Sequence, residues 1–295
     1  MSKVTIFSAP KPFSDPHINI IQLNAVRSWK LLGSDAEVIL IGDEPGIKEN
    51  AELLDVQHIP NVQVNNLGTP LINSIFSLAR QASTQDLLIY LNADILLLPE
   101  TMEVIQKIHK LKKEFLIVGR RWDLDITAEI TFDSDWSNDM KIRVEKEGKL
   151  QSPAAMDYFV FLKYLYQDIP PFAVGRAGWD NWMIYHGMQQ IWPVIDVTPA
   201  LIVIHQNHDY SHLPDGKPHF DLDESIHNVN LGGGYTKSYD LLDVKWEFKD
   251  GRIGKVQLTL SHLLRKIERF INPQKREGWR WELTRKLRKL RRKLS

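Results

Sequence analysis

Residues 3–42, KVTIFSAPKPFSDPHINIIQLNAVRSWKLLGSDAEVILIG, set the architecture. Residues 3–8 are β-branched and aromatic and stop at Ala9-Pro10, so they read as a buried strand. Ile18, Ile21, Ala25, Trp29 and Leu32 recur at helical spacing over 18–32, and Gly33 stands where a helix C-terminal glycine belongs. Residues 37–42 are a second strand, closed by Asp43. A strand, a helix and a strand within about 45 residues mark a parallel α/β sheet.

The alternation continues. The pattern predicts helices over 71–83, 100–112 (opened by Pro99) and 178–190. It predicts strands at 87–91 (LLIYL), 115–119 (FLIVG), 158–162 (YFVFL) and 201–204 (LIVI). Residues 120–153 are polar and rich in Asp and Trp. Residues 244–258 read as a hairpin turning at Asp250-Gly251, and helices follow at 259–271 and 279–294. A boundary near 240 separates an α/β body from a C-terminal extension, 241–295.

Composition narrows the classes. The 295 residues carry 37 Lys or Arg and 37 Asp or Glu, and contain no Cys. Disulfides, thiolate catalysis and Cys-ligated metals are excluded. No stretch approaches the ~20 apolar residues that span a bilayer, and the N-terminus lacks a secretory signal, so a cytoplasmic globular enzyme is expected. The neutral total hides an asymmetry: residues 275–295 hold ten Lys or Arg against two Glu, a net of +8, which leaves the body at −8.

Four segments could carry chemistry. In YLNADILLLP (90–99) an apolar strand delivers Asn92 and Asp94 to its carboxyl end, where parallel sheets place ligands. An Asp there supplies oxygen to a divalent cation; alternatively it starts a turn or caps the helix after Pro99. HQNHDYSH (205–212) follows a strand, and four of the ten histidines lie in 205–219. With Asp209 and Asp215 nearby it is a metal-ligand loop or a polar loop with incidental histidines. In GRAGWDNWMIYH (175–186), Trp179 and Trp182 can stack on a sugar ring, and Asp180 between them can take a hydroxyl proton. The other reading is an acidic helix N-terminus with core tryptophans. In GRRWDLDI (119–126), Arg120 and Arg121 can clamp a phosphate or pair with Asp123 or Asp125. NLGGGY (230–235) lacks the context of a dinucleotide fingerprint, and neither a P-loop lysine motif nor a Gly-x-Ser-x-Gly elbow is present.

Taken together, YLNADILL, PFAVGRAGWDNWMIY and VIHQNHDYSH resemble the nucleotide-sugar glycosyltransferases of the GT-A fold over roughly residues 3–240. The likeness is to bacterial-type members with an Asn-Ala-Asp version of the DxD motif and a WDNW acceptor segment. It implies a mostly parallel central sheet flanked by helices, with a nucleotide-sugar half over about 1–125 and an acceptor half over about 126–240. It implies transfer of a sugar from a nucleoside-diphosphate-sugar donor to a glycan or lipid-linked acceptor hydroxyl, with Mn2+ or Mg2+ on Asp94 and His205 or His208. Ser8, Ala9, Pro10, Lys11 and Asp43 would line the nucleotide pocket with Asn92, Arg120 and Arg121. Asp180 would be the acceptor base in an inverting enzyme, with Asp157 in reserve. Asn92 in place of the first Asp removes one carboxylate and leaves metal-independence open. The rival readings are a nucleotidylyltransferase, whose Gly-rich basic loop Ser8–Pro12 does not resemble, and a non-catalytic membrane or polyanion-binding protein.

The tail has its own pattern. Trp279, Leu283, Leu287, Leu290 and Leu294 form one apolar helical stripe amid basic residues. Such a helix lies on an anionic membrane surface, which would make the protein peripheral on the inner face. The spacing equally suits an oligomer contact or docking on the acidic body; nucleic acid is the weakest reading.

Overall fold

In the computed structural model, which describes residues 3–33, 36–208, 219–274 and 276–294, the N-terminal reading takes physical form. Strand β1 (Val4–Ser8) is buried along its whole length, as a strand covered on both faces must be. Helix α1 (Pro16–Lys30) starts two residues before the periodicity does, because the Asp15 side chain accepts from Ile18 N (2.8 Å) and Pro16 fits the first turn. Then follow β2 (Ala36–Ile41), α2 (Ile47–Leu54), β3 (Gln57–Ile59), α3 (Ile72–Ala82), β4 (Leu87–Leu91), β5 (Ile95–Leu97), α4 (Glu100–Leu111) and β6 (Leu116–Val118). The second half contains β7 (Trp122–Leu124), α5 (Trp136–Glu147), β8 (Lys149–Leu150), β9 (Tyr158–Leu162), α6 (Trp179–Gln189), β10 (Val194–Asp196), β11 (Val203–Gln206) and α7 (Asp223–Leu231). The hairpin β12 (Trp246–Lys249) and β13 (Arg252–Lys255) leads into α8 (Leu260–Ile271) and α9 (Gly278–Arg292).

The nine-stranded main sheet has the order β13-β12-β10-β6-β9-β4-β1-β2-β3. It is parallel except at the terminal hairpin and at β9, which runs antiparallel between β4 and β6. That exception places the residue before β9 on the same edge as the residues after β4: Asn92 N donates to Asp157 O at 3.0 Å. A second sheet, β5-β11-β7-β8, packs beside this edge. Its register sets His205 opposite both Ile95 and Asp123.

Helix α1 buries polar residues because it also braces the second sheet. Asn24 Nδ2 donates to Gln206 Oε1 (3.1 Å), Trp29 Nε1 to Ile95 O (2.8 Å), and Ser28 Oγ accepts from Leu97 N (3.2 Å). At the other end of the main sheet, β12 pairs in parallel with β10, so the terminal hairpin extends the sheet. Among the described residues no helix is long and apolar enough to cross a membrane.

Candidate active site and metal centre

The carboxyl edge of the main sheet opens into a cleft of about 500 Å3, lined by the loop after β1, the turn after β4, the segment before β9 and the start of α6. The turn Asn92-Ala93-Asp94 lies between β4 and β5. Asn92 Nδ2 donates to Asp157 Oδ1 (2.7 Å), and Tyr90 Oη donates to Asn92 Oδ1 (3.3 Å). Arg121 then bridges Asp157 and Asp123, with Nε 3.0 Å from Asp123 Oδ1. Asn92 is therefore anchored to Asp157, on the segment before β9.

Asp94 lies on the other side of the turn. Its Oδ2 is 3.2 Å from His208 Nε2 and 3.9 Å from His205 Nε2. One ligand atom of each residue lies within 4.8 Å of the others. Asp94 Oδ1 is buried without a hydrogen-bond partner among the described residues, and a carboxylate oxygen left so is set up for a cation. His205 Nδ1 sits 3.2 Å from Asp123 Oδ1, at an oblique angle, which turns Nε2 toward Asp94. A ligating imidazole is commonly held by such an outer carboxylate. The donor set of two imidazoles and one carboxylate suits manganese better than magnesium, which prefers oxygen ligands. Burial pushes the Asp94 carboxyl up, but the His205 ring, the His208 hydrogen bond and Lys11 together hold it well below the usual range. Asp209, His212 and Asp215 lie outside the described residues.

Lys11 reaches the same point from β1. Its Nζ lies 3.0 Å from His208 Nε2 and 3.9 Å from Asp94 Oδ2. Burial lowers its pKa, while Asp94 and Asp157 oppose the shift. The backbone of Lys11 is gripped at both ends by Gln22, whose Oε1 accepts from Lys11 N (2.7 Å) and whose Nε2 donates to Lys11 O (3.0 Å).

Across the cleft, Gly178 opens α6 at φ +108°, and a Cβ there would meet Val229 Cγ2 at 2.9 Å, so only glycine fits. Asp180 Oδ1 accepts from Asn181 N (2.8 Å) and Gly178 N (3.2 Å). Burial, with the nearby charge of Asp157, outweighs these bonds and raises the Asp180 pKa to about 6. Trp179 lines the cleft beside it, its ring edge-on to Tyr90 at 5.1 Å.

Several expected residues lie elsewhere. Arg120 turns away from the cleft and donates to Gln151 O. Successive residues leave an extended chain on opposite sides, so only Arg121 of the pair reaches the cleft. Asp43 is exposed, and Glu44 lines the cleft in its place. Ser8 is buried and donates to Leu91 O (2.7 Å), joining β1 to β4. Trp182 is a core residue, stacked on His186 at 4.5 Å and tilted against Phe172. Ala9, Pro10 and Lys11 do line the cleft. Sequence reasoning missed Gln22, Glu44 and Arg176. Gln22 carried a signal, as a polar residue beside Ile21 in an apolar helical stripe. Arg176 Nε is 2.6 Å from Glu224 Oε2 at the cleft mouth, a pairing 48 residues apart that no local pattern reveals.

Comparison by sequence with family models and with curated proteins finds no match. Comparison of folds does. Glucosyl-3-phosphoglycerate synthase from Mycobacterium tuberculosis, in complex with Mn2+, uridine diphosphate and glucosyl-3-phosphoglycerate, superposes with a TM-score of 0.50 at 12% identity over 88% of each chain. Another crystal structure of that synthase gives 0.49 at 13% identity, over 79% of this chain and 81% of the other. At such identity the likeness is one of fold: the chain has the GT-A-like, mixed α/β architecture that the sequence resemblance implies.

Proposed function

We propose that the protein transfers a glycosyl group from a nucleoside-diphosphate sugar to an acceptor hydroxyl, in the synthesis of a glycan, polysaccharide or glycolipid. The observation that carries this reading is one cleft holding both a buried three-ligand cluster (Asp94, His205, His208) and a separate carboxylate, Asp180, with its pKa raised to about 6. A divalent ion on the cluster supplies positive charge against the departing diphosphate. Lys11 adds a second positive charge at the same point, on a loop that Gln22 holds in place. Asn92 is held at both ends of its amide, the oxygen by Tyr90 and the nitrogen by Asp157, which fixes the turn that carries Asp94. In an inverting transfer Asp180 takes the acceptor proton, and Trp179, packed among Phe76, Tyr90 and Phe159, backs the cleft wall beside it. Asp157 already engages Asn92 and Arg121, which makes Asp180 the better placed base.

The test is a thermal-shift panel of nucleoside diphosphates with and without Mn2+, followed by measurement of nucleoside diphosphate released from sugar nucleotides. Uridine diphosphate comes first, because the fold neighbour binds it with Mn2+. A ligand at 100 times its Kd adds about 2.7 kcal/mol of stability, which such a panel resolves. Release of nucleoside diphosphate supports the reading. Pyrophosphate release from a nucleoside triphosphate and a sugar phosphate would instead identify a nucleotidylyltransferase.

A further inference from the structure

The C-terminal helices are built the wrong way round for a soluble surface. Helix α8 buries Ser261, His262, Arg265 and Glu268 with a single leucine, Leu264, and turns Leu260, Leu263, Ile267 and Phe270 outward. Phe270 is 85% exposed and Leu260 and Leu263 more than half. Helix α9 repeats the inversion: it buries Thr284 and Arg291 and exposes Trp279, Leu283 and Leu290, with Leu294 exposed just past its end. A helix of a water-soluble protein normally buries its apolar stripe.

The inversion has a structural cause. The two helices form an antiparallel pair whose inner side is ionic: Glu268 accepts from Arg265 (3.1 Å), Arg288 (3.0 Å) and Arg291 (3.1 Å). Asp243, at the start of the extension, holds Arg265 (2.7 Å). Ion pairs within the hairpin, and with Asp240 and Asp243 at the join to the body, thus fix it by its polar side. The apolar stripes are left facing outward, and helical spacing sets Lys286 and Lys293 on the flank of the α9 stripe turned from the body. Lys266, Lys286, Lys289 and Lys293 are exposed.

From this geometry we infer that the outward face of the α8–α9 hairpin docks on an anionic lipid bilayer. The apolar stripes insert among the acyl chains, Trp279 sits at the headgroup level, and the lysines meet lipid phosphates. A second copy of the chain is a poor occupant, because a self-contact would bring two cationic rims together. Nucleic acid has no use for exposed Leu and Phe. The face also connects to the acceptor side of the cleft. The Arg269 guanidinium lies 3.8 Å over the Tyr239 ring, and Tyr239 O accepts from Asn181 Nδ2 (2.7 Å), next to Asp180.

The experiment is co-sedimentation of the full chain with vesicles of phosphatidylcholine alone and of phosphatidylcholine with phosphatidylglycerol, at low and high salt. Binding to the mixed vesicles that weakens with salt is expected. Lys286→Ala with Lys293→Ala should weaken it about thirtyfold, at about fivefold per basic residue. Leu263→Glu with Phe270→Glu should abolish it while the thermal midpoint stays unchanged, since both side chains are outside the core. No binding to either vesicle, equal binding to both, or a salt-stable dimer that Leu263→Glu with Phe270→Glu dissolves would each overturn the inference. Vesicle binding is read without catalysis, so its failure and that of the transferase reading are distinguishable.

Discussion

Asp180 joins chemistry and stability in one group. A base with a pKa of about 6 is ionised at neutral pH and protonated below it, so transfer should fall as pH drops through about 6. The folded protein holds this proton more tightly than the unfolded chain, whose pKa is near the ordinary 3.8. Its stabilising contribution is therefore complete below that value and lost as pH rises through about 6. Asp180→Asn should abolish transfer, keep nucleotide binding, and gain stability over wild type between acid and neutral pH, by up to about 3 kcal/mol. Thermal melts of both proteins across that range check the sign. On the donor side, Asp94→Ala should eliminate manganese binding measured by calorimetry. Asp123→Asn, which touches no metal, should weaken it about tenfold by loosening the His205 ring. The sequence pointed to Asp94, His205 and His208 because each lies near the end of an apolar strand, although the last strand begins two residues later than its LIVI run and takes His205 into it. It did not show Asp123 as their support, because that contact depends on the β7–β11 register. Nor could it separate Trp179, at the cleft, from Trp182, in the core, since either ring fits both settings.

At the scale of elements, legibility followed apolar length. Strands β4 and β9 are five apolar residues each and were read to the residue. Strands β5, β7 and β10 have three residues each, too few for a period to show. Helix α5 buries only Trp136, Met140 and Val144, so its helical period is hidden in a polar stretch. The terminal helices were read from spacing, but their orientation was not. A leucine stripe predicts a buried side, and only the ion pairs at Glu268 show that the other side is buried. Glu268 is fully buried amid Arg265, Arg288 and Arg291. Glu268→Ala removes the acceptor that Arg265, Arg288 and Arg291 share, leaving Arg265 and Arg291 to Asp240 and Asp243, and should destabilise the hairpin by about 3 kcal/mol. Limited proteolysis should then cut between α8 and α9, where wild type resists.

For the whole molecule, a mostly parallel sheet was legible in the alternation of strands and helices, whereas the order of its strands was not. Nothing local in YFVFL says that it runs against its neighbours or that it fills the gap between β4 and β6. That insertion has a consequence for how the protein is made. As the chain leaves the ribosome, β1, β2 and β4 can assemble early, but one whole flank of LLIYL has no mate until residue 162 has emerged. Until then the nascent protein carries a bare, apolar strand edge of the sort that recruits other chains. A ribosome stalled on this message after β6 should display a chaperone-dependent intermediate, and one stalled far enough past β9 should not. Release of stalled chains with and without chaperone, scored by sedimentation, would time the moment at which the sheet becomes whole.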